Sequence, residues 1–364
     1  MEIREGLTFD DVLLVPQYSE IPSRSFVDTS VELPKGLRFK HPIIPANMKS
    51  ITEYDMAEQM FLSGGMALIH RFMDKERQLN IVRKLADKHG KTVWSHVGFS
   101  VGVQVEDTRT VDRFALQGAK ILCVDVAHGD SKLCIDMCKR IHDIYPDILF
   151  IAGNVATGEG AKRLWEAGVD IVKVGVGSGS LCSTRIKTGN GVPQLTALMD
   201  VFEMRKHLTN PYMEPTPLMG ENGFAVDHLW EKRDPKIKRS VSIISDGGVR
   251  SSGDCVKALC FADMVMTGSL FAGADETPSP TAIGGEKKYA GSSTHKTNHI
   301  EGVVAWVPPK GKTKDILEKL LEGIRSGCSY QGCNNLKELK ENPQFIRITN
   351  AGLIESHPHI KTQV

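Results

Sequence analysis

Eight short apolar runs punctuate this 364-residue chain, with amphipathic stretches between them. The runs fall at residues 41–48, 66–70, 92–98, 121–129, 148–154, 171–177, 241–248 and 263–269. Each is short, continuous and closed by glycine or a polar residue, which reads as a buried strand. Strands that are apolar throughout belong to parallel sheets covered on both faces. The stretches between them, among them TEYDMAEQMFLSGG, KERQLNIVRKLADKHG and EGAKRLWEAG, carry apolar residues at helical spacing. Eight such units predict an α/β fold, a (β/α)8 TIM barrel forming one domain over residues 1–364. A doubly wound open sheet is the alternative.

Bulk composition narrows the partners. A hydrophobic share of 41% with 24% charged residues is ordinary for a globular protein. The net charge of +1 gives no whole-chain argument for nucleic acid or an anionic membrane, so any anion site is local. No apolar run approaches the roughly 20 residues that a spanning helix needs. The opening MEIREGLTFDD has no hydrophobic core of a secretory signal. Eight cysteines are too sparse and irregular for a disulfide scaffold, and no Cys-x-x-Cys pair with a histidine suggests zinc. A reducing, cytoplasmic setting is the expectation.

The polar residues Asn47, His70, His96, Asp125, His128, Asn154, Cys182 and Asp246 close these runs or follow them. In a barrel that places them at the C-terminal rim, where active sites form. Taken singly, the asparagines could be caps, and Asp125 could accept from loop amides. Two glycine-rich stretches, 245–254 (SDGGVRSSGD) and 267–273 (TGSLFAG), are expected to open the last two helices and grip a phosphate. Asp246, being acidic, suits sugar hydroxyls better. In 175–191 (GVGSGSLCSTRIKTGNG), Cys182 is offered among glycines as a nucleophile; a flexible loop with an incidental cysteine is the bland reading. Phosphate, sugar and thiol together point to a nucleotide whose base lies at Cys182. Residues 209–240 read as a rim insertion and 284–312 as a flap over the site. Glu301, in that flap, is either a proton-handling group or a solvated charge.

These motifs together resemble the inosine-5′-monophosphate dehydrogenase and GMP reductase family. The resemblance runs from GLTFDDVLLVP at Gly6 through PANM, IHRF, VDVAHGDS, IAGNV, VGVGSGSLCSTR, SDGGVRSSGD and GSLFAG to SGCSYQG. Four features side with the GMP-reducing branch. No paired regulatory domains follow IHRFM; the flap lacks the Arg–Tyr pair with which dehydrogenases activate water; Ser23-Arg24 matches a cofactor motif; and Lys187 with DVAHG fits reductases.

What the resemblance implies is NADPH-dependent reductive deamination of GMP to IMP and ammonia, through a covalent thioimidate on Cys182. The alternative is an IMP dehydrogenase without regulatory domains, turning IMP and NAD into XMP. In the reductase reading Thr184 and Glu301 protonate the departing nitrogen. The nucleotide is expected on Asn154, Gly179, Ser180, Asp246, Gly247, Gly248, Gly268, Ser269, Tyr289, Gly291 and Ser292. The cofactor is expected on Ser23, Arg24, Arg71, Asp125, Val126, Ala127, Ser326, Gly327, Cys328 and Ser329. A monovalent cation, potassium, is expected on loop carbonyls of Gly175, Gly177 and Cys182, and a homotetramer in which one subunit completes its neighbour's cofactor site.

Overall fold

The computed structural model describes residues 3–209, 239–291 and 303–358. Each apolar run yields one strand: Ile43–Pro45 (β1), Ala67–Ile69 (β2), Val97–Val101 (β3), Ile121–Asp125 (β4), Leu149–Val155 (β5), Ile171–Val174 (β6), Ser242–Asp246 (β7) and Met264–Thr267 (β8). All pairings between them are parallel, in the order β1-β8-β7-β6-β5-β4-β3-β2. The first strand pairs with the last, Val265 facing Ile43, and the seam lies between β1 and β2. That pairing rejects the open sheet, whose first and last strands lie apart. The fold is the (β/α)8 barrel.

Helices Tyr54–Leu62 (α1), Lys75–His89 (α2), Val105–Leu116 (α3), Lys132–Ile144 (α4), Gly158–Glu166 (α5), Gln194–Thr209 (α6), Ser252–Leu259 (α7) and Thr313–Tyr330 (α8) follow the strands. Their starts are written in short polar residues. Asp74 accepts from the amides of Glu76 and Arg77, Thr157 from that of Gly160, and Ser251 from that of Asp254. Each such cap satisfies an orphan donor and contributes about 1 kcal/mol. The apolar faces pack onto the strands; Phe99 of β3 and Phe114 of α3 stack with ring centroids 3.8 Å apart. Burying an aromatic or aliphatic side chain of this kind contributes about 2 kcal/mol.

Two strand-end expectations are corrected. In the third run, Lys91–Ser95 form a 3-10 turn that buries Val93 and Trp94, and the strand starts only at Val97. His96 therefore sits at the N-terminal mouth of the barrel, its ring edge-on to Phe39 and Phe61, remote from the rim chemistry. In the eighth unit, the residues after Thr267 form a turn instead of opening a helix, with the Phe271 amide donating to the Gly268 carbonyl. An antiparallel hairpin, Lys287–Ala290 (β9) with Val304–Val307 (β10), intervenes before α8. The flap expected at 284–312 contains this hairpin, while residues 292–302 of it, Ser292 and Glu301 included, lie outside the described residues. Residues 210–238 of the expected insertion also lie outside them.

The two ends of the chain meet beside the barrel. Residues Val12–Leu14 pair antiparallel with Phe345–Arg347, and Arg347 forms a two-bond ion pair with Glu5. Among the described residues no helix is long and apolar enough to cross a membrane.

Candidate active site

The loop after β6 is shaped by its glycines. At Gly175 φ is +151°, and a Cβ there would stand 2.0 Å from the carbonyl oxygen of Asp246. Only glycine lets the ends of β6 and β7 come this close. Gly247, with φ +97°, abuts Ser178 in the same way. The chain then turns out toward solvent, the Cys182 amide donating to the Gly179 carbonyl, and enters a short helix at Thr184–Thr188. Arg185 holds the turn from beneath, its guanidinium donating to the carbonyls of Val176 and Val192.

Of the eight cysteines Cys182 alone is exposed. Burial pushes the thiols of Cys123, Cys255 and Cys328 up to about 12 and that of Cys333 to about 11, which removes them as nucleophiles at neutral pH. The Cys182 sulfur lies 3.1 Å from Thr184 Oγ1, so the expected nucleophile and its expected proton partner are brought together.

Both face a cavity of about 320 Å³ at the C-terminal end of the barrel, the size of a small-molecule site. Its lining includes Arg71, Asp125, Val126, Ala127, Asn154, Asp246, Gly247, Tyr289 and Gly291, with Gly175, Gly177, Gly179 and Ser180 along the loop. Arg71 is fixed by donating from Nε to the Asp125 carbonyl at 2.8 Å. Tyr289 is almost wholly buried, and burial, aided by the charge of Asp246, pushes its hydroxyl up to about 12.

The floor of the cavity holds residues that the sequence reading missed. Lys173, from the middle of β6, is 1% exposed and reaches Asp125 Oδ1 at 2.7 Å and Asp246 Oδ2 at 3.0 Å. Burial opposes its charge, but the two carboxylates hold the ammonium above its usual range. Burial likewise works against the Asp125 carboxylate, and Lys173, with Arg71 and Asn47, more than offsets it, keeping that acid below its ordinary value. Asn154 donates to Asp246 Oδ2 and to the Gly175 carbonyl, both at 2.9 Å, while Asn47 donates to Ser100. A lysine inside the apolar run IVKVGVG was the available signal, since lysine is almost never fully buried unless paired.

Other expected contacts lie elsewhere. Gly248, Gly268 and Ser269 do not line the cavity; they sit on the adjoining turns, where Ser269 Oγ donates to the Val249 carbonyl and the Tyr289 hydroxyl presses on Gly268. Ser23 caps an exposed 3-10 turn at Arg24–Phe26 that packs against α8. Ser326, Gly327, Cys328 and Ser329 are on α8 itself, so these two groups belong to elements that touch each other, and neither lines the cavity of their own chain. Within that set, the Cys328 side chain is fully buried and Gly327 is pressed against Val256. Among the described residues no group of three or more His, Cys, Asp or Glu is placed to hold a metal ion.

Residues 6–214 and 225–359 match the profile of the IMP dehydrogenase / GMP reductase domain. Inosine-5′-monophosphate dehydrogenase of Nitrosopumilus maritimus is 30% identical over a gapped alignment of 505 positions, covering 99% of this chain and 99% of that protein. The enzyme of the same name from Borreliella burgdorferi is 32% identical over 425 residues, with 98% of this chain and 97% of that protein covered. That of Bacillus subtilis is 29% identical, at 98% and 96% coverage. The profile spans nearly the whole barrel and includes the thiol loop, and on that ground this chain belongs to the IMP dehydrogenase / GMP reductase family of oxidoreductases.

Proposed function

We propose that the chain oxidises IMP at C2, consuming IMP, NAD⁺ and water and yielding XMP, NADH and a proton. The observation that carries this reading is the near full-length similarity to relatives named inosine-5′-monophosphate dehydrogenase. The Borreliella burgdorferi relative weakens the argument from missing regulatory domains. Its alignment of 425 residues covers 97% of it, so that relative is little longer than this chain.

In this reading the Cys182 thiolate adds to C2 of the purine. Loss of hydride from C2 leaves a thioimidate; water adds there, and the thiolate departs as XMP forms. A nicotinamide dinucleotide, when bound, supplies the hydride acceptor, and Arg71, Asp125, Val126 and Ala127 are the residues that would hold it. Asp246 accepts from the ribose hydroxyls, since its Oδ1 has no hydrogen-bond donor among the described residues. Thr184 Oγ1 exchanges a proton with the thiol 3.1 Å away. A monovalent cation on carbonyls of Gly175, Gly177 and Cys182 remains part of the proposal; Gly175 already accepts from Asn154, and Arg185 already places one positive charge on this loop. So does a homotetramer, supported by the joint placement of Ser23, Arg24 and α8 away from their own cavity.

One observation favours a reductive chemistry instead, in which GMP, NADPH and two protons give IMP, NADP⁺ and ammonium. No arginine occurs between Arg250 and Arg325, so the flap offers no guanidinium to activate water. Thr184 and Glu301 would then protonate the leaving nitrogen, and Arg24 or Arg71 would meet the extra phosphate. Four incubations separate the readings: IMP with NAD⁺ or NADP⁺, and GMP with NADPH or NADH, followed by nicotinamide absorbance and product mass. Reduction of NAD⁺ with XMP formed is expected. Nicotinamide oxidation driven only by GMP, with ammonia released, overturns the proposal in favour of the reductase.

A further inference from the structure

Asp125 and Asp246, the two carboxylates that line the cavity, are joined by one buried side chain. Lys173 leaves β6 toward the barrel axis, and Gly153 of β5 makes room for its stem: a Cβ on that glycine would lie 2.7 Å from Lys173 Cβ. The ammonium bonds Asp125 at the end of β4 and Asp246 at the end of β7, with Asn47 Oδ1 of the loop after β1 at 3.4 Å. Two carboxylates with one ammonium between them are rigidly placed only while that cation stays put; without it, like charges separate and turn toward solvent.

The geometry points to Lys173 as a positioning residue that couples the mononucleotide half of the site, through Asp246, to the dinucleotide half, through Asp125. This rests on the reading that both ligands share the cavity. Coupling between sites is reciprocal, so a disturbance at either carboxylate is felt at the other through the lysine they share. A merely structural lysine would support the barrel without linking the two affinities.

The test measures equilibrium binding of IMP and GMP, and separately of NAD⁺ and NADPH, to the full chain and its variants. Wild-type protein that binds no mononucleotide and no dinucleotide defeats the site reading itself. Given wild-type binding, Lys173→Met is expected to weaken both ligand classes at least tenfold, while iodoacetamide still labels one thiol per chain. Weakening of one class only, or of neither, with single-thiol labelling kept, overturns the coupling. If Lys173→Met instead exposes buried thiols, Asp125→Asn decides. Its removal of one partner is expected to change mononucleotide affinity at least threefold, although Asp125 is joined to Asp246 only through Lys173. Mononucleotide affinity unchanged in Asp125→Asn overturns the proposal.

Discussion

Cys182 Sγ and Thr184 Oγ1 stand 3.1 Å apart at the one point where a thiol of this chain meets solvent. Thr184 opens a short helix and Cys182 lies just before its N-cap Ser183, so the pair is set by local backbone. Cys182→Ser should lower turnover by at least ~10³-fold, the scale seen when a covalent nucleophile is removed, with mononucleotide affinity kept within a few fold. Thr184→Ala should cost about 10²-fold if the hydroxyl exchanges a proton in the rate-limiting step. Steady-state kinetics with binding measured in parallel checks both; turnover surviving in Cys182→Ser removes covalent catalysis.

Selective burial gives a chemical readout. Seven thiols are buried and one is exposed, so brief iodoacetamide treatment should add a single label, located at Cys182 by peptide mass. Saturating mononucleotide should slow that labelling, because the sulfur borders the cavity. Labels at Cys134 or Cys333 before Cys182 would contradict this packing.

Gly175 is the tightest backbone approach in the site. Gly175→Ala would place a methyl 2.0 Å from the Asp246 carbonyl at φ +151°. Forcing β6 and β7 apart should cost about 3 kcal/mol or more and abolish turnover together. Urea unfolding of the variant at unchanged m-value measures the first effect.

Acid sensitivity should come partly from His41, at the far end of the barrel. Burial lowers its folded value from 6.5 to about 4, and its Nε2 bonds Ser63 Oγ at 3.0 Å. The unfolded chain therefore takes the proton first as pH falls. Stability from neutral His41 is complete above pH 6.5 and is lost as pH falls toward about 4, by about 3 kcal/mol in all. His41→Gln should flatten this part of the stability–pH curve between pH 7 and 4.5, read from denaturation midpoints. An unchanged slope would assign the acid loss to other groups.

Much of this site was legible because strand ends announce themselves. Asn47, His70, Asp125, Asn154 and Asp246 close apolar runs, and parallel strands deliver such residues to one rim whatever their order in the chain. His96 failed this rule because a 3-10 turn took the place of the first half of its run. Trp94 fills that turn, and a large ring plugs a barrel mouth as readily as it sits on a strand. Lys173 escaped because a single charge within an apolar run has no visible partner in sequence; its carboxylates stand on strands 48 and 73 residues away.

By itself, the sequence determined the eight units, their caps and the glycine loop that offers a thiol, because hydrophobic period, capping and backbone freedom act over a few residues. Tertiary structure alone decided which thiol stays in water, which carboxylates share one buried ammonium, and that the turn of Ser23 and Arg24 packs on α8 outside the lining of their own cavity. Those outcomes depend on burial and on charges brought together by barrel closure, and closure joins segments that are strangers along the chain.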